Sequence, residues 1–212
     1  VIMKWLLCFF FFFFLFGCNE NTINEADMFK GKLNDKEYKA IELSVTHFNN
    51  YLKKCYPNLS YNESYQQFVQ DFVKDEVKKG FYTNAYEDKI NNNLLKNTNI
   101  FIKIKDANKN YSNPFKGEDE NFDEYYPNLY ILNSKSLFFK IIERNATKNL
   151  KRYLSDIKKN KEYYSQNFPN SFLLNINQQD YKNSATKLVI MYNFYYNTEI
   201  NLSNLFDNSK NR

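Results

Sequence analysis

Residues 34–55 read NDKEYKAIELSVTHFNNYLKKC. Asn34 can cap a helix, and Glu37 stands three residues on, where its carboxylate reaches back to the cap. Tyr38, Ile41, Val45, Phe48, Leu52 and Cys55 then recur at spacings of three and four. That period lays one apolar stripe along one helix face. Pro57 stops it, because proline disfavours helical backbone in the residue before it.

The same grammar recurs downstream. Ser60 and Glu63 form a second capping box ahead of Tyr65, Phe68, Val69 and Phe72, and Lys78, Lys79 and Gly80 read as the end of that helix. Residues 84–87 repeat the start signal, and Ile90, Leu94 and Leu95 follow. Short connections between successive helices predict antiparallel packing. Then the period changes. Ile100, Ile102 and Ile104 alternate with Phe101, Lys103 and Lys105, the pattern of a half-buried strand, and residues 129–132 make a second short apolar run. Ser134 or Ser136 caps a helix with Leu137, Phe138, Ile141 and Ile142, continued through Leu150, Tyr153, Leu154 and Ile157 until residues 167–170 break it. Residues 181–199 fit a helix through Tyr181, Ala185, Leu188, Tyr192, Tyr195 and Glu199, and a strand through Leu188, Ile190, Tyr192, Phe194 and Tyr196; length favours the helix. The expected fold is mainly α, an antiparallel helical domain with a small two-stranded β insertion near residues 100–105 and 129–132.

Composition bounds function loosely. The 212 residues carry a formal charge of +5, with Lys and Asn scattered rather than gathered into a basic stripe, so nucleic acid is not an expected partner. Asn, Lys, Tyr, Phe and Ile are abundant and Gly and Pro scarce, a bias that AT-rich codons produce and that weakens every Asn or Tyr cluster as a functional signal.

The N-terminus is more specific. Residues 4–18 read KWLLCFFFFFFLFGC: one cation, an unbroken apolar run, a small residue, a cysteine. The order is that of a secretory signal. As a helix the run from Trp5 to Phe16 spans about 18 Å, against a bilayer core of about 30 Å, too short to cross and stay. Leu15-Phe16-Gly17-Cys18 resembles the lipobox of bacterial lipoproteins, with Phe16 where that family usually carries a small or β-branched residue. The resemblance implies cleavage between Gly17 and Cys18, a diacylglyceryl group on the Cys18 thiol, a further palmitate-type chain on the new amino group, and residence in the cell envelope held by the lipid bilayer. Asn19 then implies the outer membrane where two membranes exist. An ordinary secretory leader or an uncleaved anchor are the remaining alternatives. The expected organisation is a leader at 1–17, a lipidated N-terminus and tether at 18–33, a helical domain at 34–206 and a frayed tail at 207–212. Met28 and Phe29 alone of the tether are expected to touch the fold.

Candidate chemistry is sparse. His47 is the single histidine, flanking the first stripe without a nucleophile motif beside it, and reads as partly packed. Cys55 falls on that stripe and reads as a buried inert thiol. One mature His and one free Cys make no zinc set. Asp106, Asn108 and Asn110 have the spacing that opens a calcium loop, but Tyr111 and Gly117 stand where the turn glycine and the bidentate Glu belong. Glu118, Asp119, Glu120, Asp123 and Glu124 are possible carboxylates for a glycan or peptide hydrolase, on a loop that makes a poor platform. Tyr125-Tyr126, Tyr163-Tyr164 and Tyr195-Tyr196 are possible sugar platforms, with core packing the better default. No cofactor motif appears. The expectation is a non-enzymatic envelope protein that binds a protein or glycan partner; the hydrolase and the Tyr-based glycan module are the alternatives.

Overall fold

The computed structural model describes residues 24–77, 85–103, 106, 129–160 and 168–210. The chain is mainly helical. Helix α1 is Asp35–Cys55, α2 Tyr61–Val73, α3 Ala85–Asn97, α4 Leu137–Asn145, α5 Lys148–Asn160 and α6 Phe168–Asn175. A two-stranded antiparallel ribbon joins β1, Phe101–Lys103, to β2, Tyr130–Leu132, with Phe101 opposite Leu132 and Lys103 opposite Tyr130. The last helix, α7, runs through three segments: α-helical Ser184–Val189, π-helical Ile190–Tyr196 and α-helical Asn197–Lys210.

Both capping boxes form. The Asn34 side chain accepts from the Lys36 and Glu37 N–H groups while Glu37 returns to the cap, and Ser60 and Glu63 do the same for α2. α1 buries the expected stripe of Ile41, Val45, Phe48 and Leu52, with Tyr38 and Cys55 half-buried at its ends.

Helix α7 is the axis of the core. Between Ala185 and Tyr196 every residue but Asn193 is buried. Tyr195 packs on Phe48 at 4.9 Å and Tyr51 at 5.6 Å, while Tyr192 meets Phe138 edge-on at 4.9 Å. Phe194 faces the other way, onto Phe72 at 5.4 Å and Phe172 at 5.1 Å. Aromatic pairs at these spacings each add about 0.5–1.5 kcal/mol beyond area burial. The ribbon is clipped to the same helix by amides: Tyr130 N–H donates to Asn201 Oδ1 at 2.6 Å, and Asn197 and Asn201 both donate to the Tyr130 carbonyl at 2.9 Å.

Several expectations are corrected. α2 ends at Val73, not near Gly80. The Glu76 N–H bonds the Asp71 carbonyl and the Asp75 N–H the Phe72 carbonyl, with Asp75 at φ 57°. This is a Schellman stop in which aspartate takes the left-handed position usually given to glycine. The helix expected from Leu137 through Ile157 is two helices. Ala146 is extended at ψ 145°, and Thr147 Oγ1 restarts the chain by accepting from Leu150 N–H at 3.2 Å. Over the described part of the first strand the expected alternation is not seen: Ile100 and Phe101 are both buried and Ile102 and Lys103 half-buried, while Ile104 and Lys105 lie outside the described residues. Residues 24–33 are not tether throughout. Glu25–Phe29 form a 3-10 turn with Ala26 and Phe29 fully buried, and Phe29 stacks on Phe138 at 4.8 Å.

Candidate functional site

The exposed face of α1 carries Thr46, Asn49, Asn50 and Lys53 at spacings of three and four, so they form one ridge. The chain then turns through residues 56–60 and starts back along α2, leaving an open cleft of about 460 Å³ between ridge, turn and first α2 turn. Pro57 and Leu59 supply its apolar wall, Tyr61 and Ser64 its α2 side, and Asn24 its rim.

Hydrogen bonds from the core hold this frame. Tyr56 donates to Asp71 Oδ2 at 2.7 Å, and Gln67 donates to the other carboxylate oxygen at 2.6 Å, pinning the turn to α2. Tyr65 donates to Asn49 Oδ1 at 2.6 Å. That bond orients the Asn49 amide so that its NH₂ end is the one able to donate to a guest. Tyr61 donates to Glu25 Oε2 at 2.5 Å, and the other Glu25 oxygen accepts from Lys187 Nζ at 3.2 Å. The Lys187 ammonium also lies 4.1 Å from the centre of the Tyr61 ring and 5.7 Å from that of Tyr65.

Glu25 and Lys187 are 1 % and 3 % exposed, a buried ion pair beneath the cleft. Burial pulls the Lys187 pKa below its usual value, and the Glu25 charge and hydrogen bond oppose that shift. Burial and the neighbouring Glu25 carboxylate push the Tyr61 phenol well up, which keeps it a donor. The cleft's lining therefore offers amides, hydroxyls, the rings of Tyr56 and Tyr61 and one cation, Lys53, and among the described residues no carboxylate lines it. A second cleft, of about 440 Å³, lies where Glu37 and Ile41 of α1 face Thr98, Ile100, Lys135 and Leu137.

His47 belongs to a different polar seam. Ser44 Oγ donates to the Ile41 carbonyl at 2.8 Å, so Tyr192, 2.6 Å away, is the donor to Ser44. Tyr196 gives its proton to the Ser44 carbonyl at 2.8 Å, which leaves His47 Nδ1, at 3.2 Å, as donor to the Tyr196 oxygen. Burial lowers the His47 pKa. The unfolded chain then takes up a proton as pH falls through the ordinary histidine range while the folded protein resists it, so stability is full above that range and is lost below it. The melting temperature should fall between pH 7 and pH 5, and His47→Gln should flatten that slope. An equal slope in the variant would assign it to carboxylates.

Among the other sequence candidates, Cys55 is half-buried rather than buried. Tyr195 and Tyr196 are buried and meet edge-on at 88°, so this pair is no sugar platform. Tyr125, Tyr126, Tyr163 and Tyr164 lie outside the described residues, as do Gly17, Cys18, Asn108, Asn110, Glu118, Asp119, Glu120, Asp123 and Glu124. Asp106 is exposed, and among the described residues no three His, Cys, Asp or Glu side chains gather as a metal set. Among the described residues no helix is long and apolar enough to cross a membrane. The sequence reading missed Glu25, Asn49, Asn50 and Lys187. Only Lys187 left a signal, a lone cation at the head of the apolar run from Leu188.

No family model, curated protein or solved structure matches the chain.

Proposed function

We propose that the protein is a lipid-anchored envelope protein that binds a partner rather than transforming one, and that the cleft between α1 and α2 is its binding surface. The observation that carries the second part is the frame. Mostly uncharged polar groups line an open cleft whose frame is fixed by hydrogen bonds to Asp71, Asn49 and Glu25, the first buried and the other two partly so. A prearranged polar surface loses little order on binding, which favours recognition. The anchor rests on the lipobox-like Leu15-Phe16-Gly17-Cys18. Two or three acyl chains hold a protein to a bilayer where one holds it only marginally.

Mass spectrometry of the N-terminal peptide should show a chain starting at Cys18 with a diacylglyceryl adduct. Cys18→Ser should abolish the adduct and move the protein from the detergent phase to the aqueous phase or leave it unprocessed. A serine variant that matures and partitions like the parent overturns the anchor.

A further inference from the structure

We propose, resting on the reading just given, that the α1–α2 cleft binds a sugar, and that the sugar is the headgroup of a glycolipid in the bilayer to which the chain is anchored. Two independent observations lead there.

The first is chemical. Thr46 and Asn50 present an exposed hydroxyl and amide, each able both to donate and to accept; Asn24 and Asn49, whose side-chain oxygens already accept from Ala26 N–H and Tyr65, add amide donors, and the Ser64 hydroxyl, which donates to the Tyr61 carbonyl, adds an acceptor. A sugar edge is a row of hydroxyls with the same dual character, and its C–H face suits an apolar wall such as Leu59, which is 40 % exposed. Among the described residues one lysine and no arginine line the cleft, too little positive charge for a nucleotide or polyphosphate. Neither strand of the ribbon lies beside the cleft for an extended peptide to pair with, and its lining lacks the row of apolar pockets that a docked helix requires.

The second is covalent. Asn24 forms the rim of the cleft, and it follows Cys18 by six residues. Six residues reach at most about 22 Å however they are arranged. With Glu25, Ala26 and Phe29 locked in the core, the rest of the N-terminus adds no slack. An acylated Cys18 therefore holds the cleft within one short leash of the headgroup layer, where sugars carried on lipids are concentrated.

The test uses the full acylated chain in phosphatidylglycerol vesicles with or without diglucosyldiacylglycerol, and in detergent with free maltotriose. Amide hydrogen exchange across residues 45–64 should slow severalfold with the glycolipid, and free maltotriose should compete. Asn50→Ala and Thr46→Ala, both outside the core, should each weaken the response by about tenfold, the loss of one well-placed hydrogen bond. A flexible insertion after Asn19 should weaken the glycolipid response while leaving that to free maltotriose unchanged. No response to either sugar, or one indifferent to Asn50→Ala, overturns the site. A response to maltotriose with none to the glycolipid overturns the membrane source. An unacylated N-terminus beside an intact maltotriose response removes the anchor reading and the membrane source together, so the two failures are told apart.

Discussion

Lys187→Met should destabilise the protein by about 3–5 kcal/mol, the usual cost of removing one member of a buried ion pair. Lys187 and Glu25 are both almost fully buried, 3.2 Å apart, and the second Glu25 oxygen already holds the Tyr61 hydroxyl. Methionine keeps the length and packs against the two tyrosine rings, so the loss is electrostatic rather than a cavity. The stranded carboxylate keeps one donor of the two it had, in a site that water does not reach. Glu25→Gln should cost less, because the amide oxygen can still accept from Lys187 while the NH₂ group donates to the Tyr61 oxygen. Glu25→Leu with Lys187→Met should be far closer to the parent than Lys187→Met alone, since replacing a whole buried pair with apolar groups is often neutral. Urea unfolding of these three variants and of Glu25→Leu alone reads this directly. A double variant as unstable as the sum of the two single ones would show that the pair does not act as a unit.

The sequence disclosed those parts of the fold that depend on local grammar. Asn34 with Glu37 and Ser60 with Glu63 announce helix starts through hydrogen bonds made within one turn, and both starts form. The end of α2 was hidden because Asp75 occupies the position where glycine is the usual mark, and left-handed aspartate leaves no sequence trace of its own. α7 was ambiguous for a deeper reason. A helix buried on every side has no polar face, so Leu188 to Tyr196 satisfies period two as readily as period 3.6. The π-helical turn cannot be read from residue types either, since it is set by what α1, α2 and α4 pack against it. The cleft stayed invisible for compositional reasons. Asn49 and Asn50 sit in an asparagine-rich chain, and only the return of α2 across the turn at 56–60 makes a surface of them. Glu25 reads as one more polar residue in a tether until its partner, 162 residues away, is in place.

Phe29→Ala should cost about 3–5 kcal/mol, in the range for emptying a fully buried aromatic site. Phe29 has no exposed surface and lies nearly parallel to Phe138, the rings 4.8 Å apart and 15° from coplanar. The cost has two possible forms, and they are separable. If the core keeps its shape, a cavity remains beside Phe138 and the whole protein loses stability together. If instead residues 24–33 lift off, Glu25 leaves Lys187 and the ion-pair penalty is added to the lost packing. The second course is favoured, because only Ala26, Glu25 and Phe29 fasten this segment deeply, while Lys30 and Lys32 are already exposed. Limited trypsin digestion should then cut after Lys30 and Lys32 well before global unfolding, and Lys187 should gain reactivity toward an amine reagent. Met28→Ala, at a half-buried neighbour, should produce neither effect. Release would also carry Asn24 away from the cleft and lengthen the leash to α1 by about ten residues. Phe29→Ala should therefore weaken the vesicle glycolipid response more than it weakens the response to free maltotriose. A variant that loses stability without early cleavage would place the whole effect in the cavity and leave the cleft rim where it is.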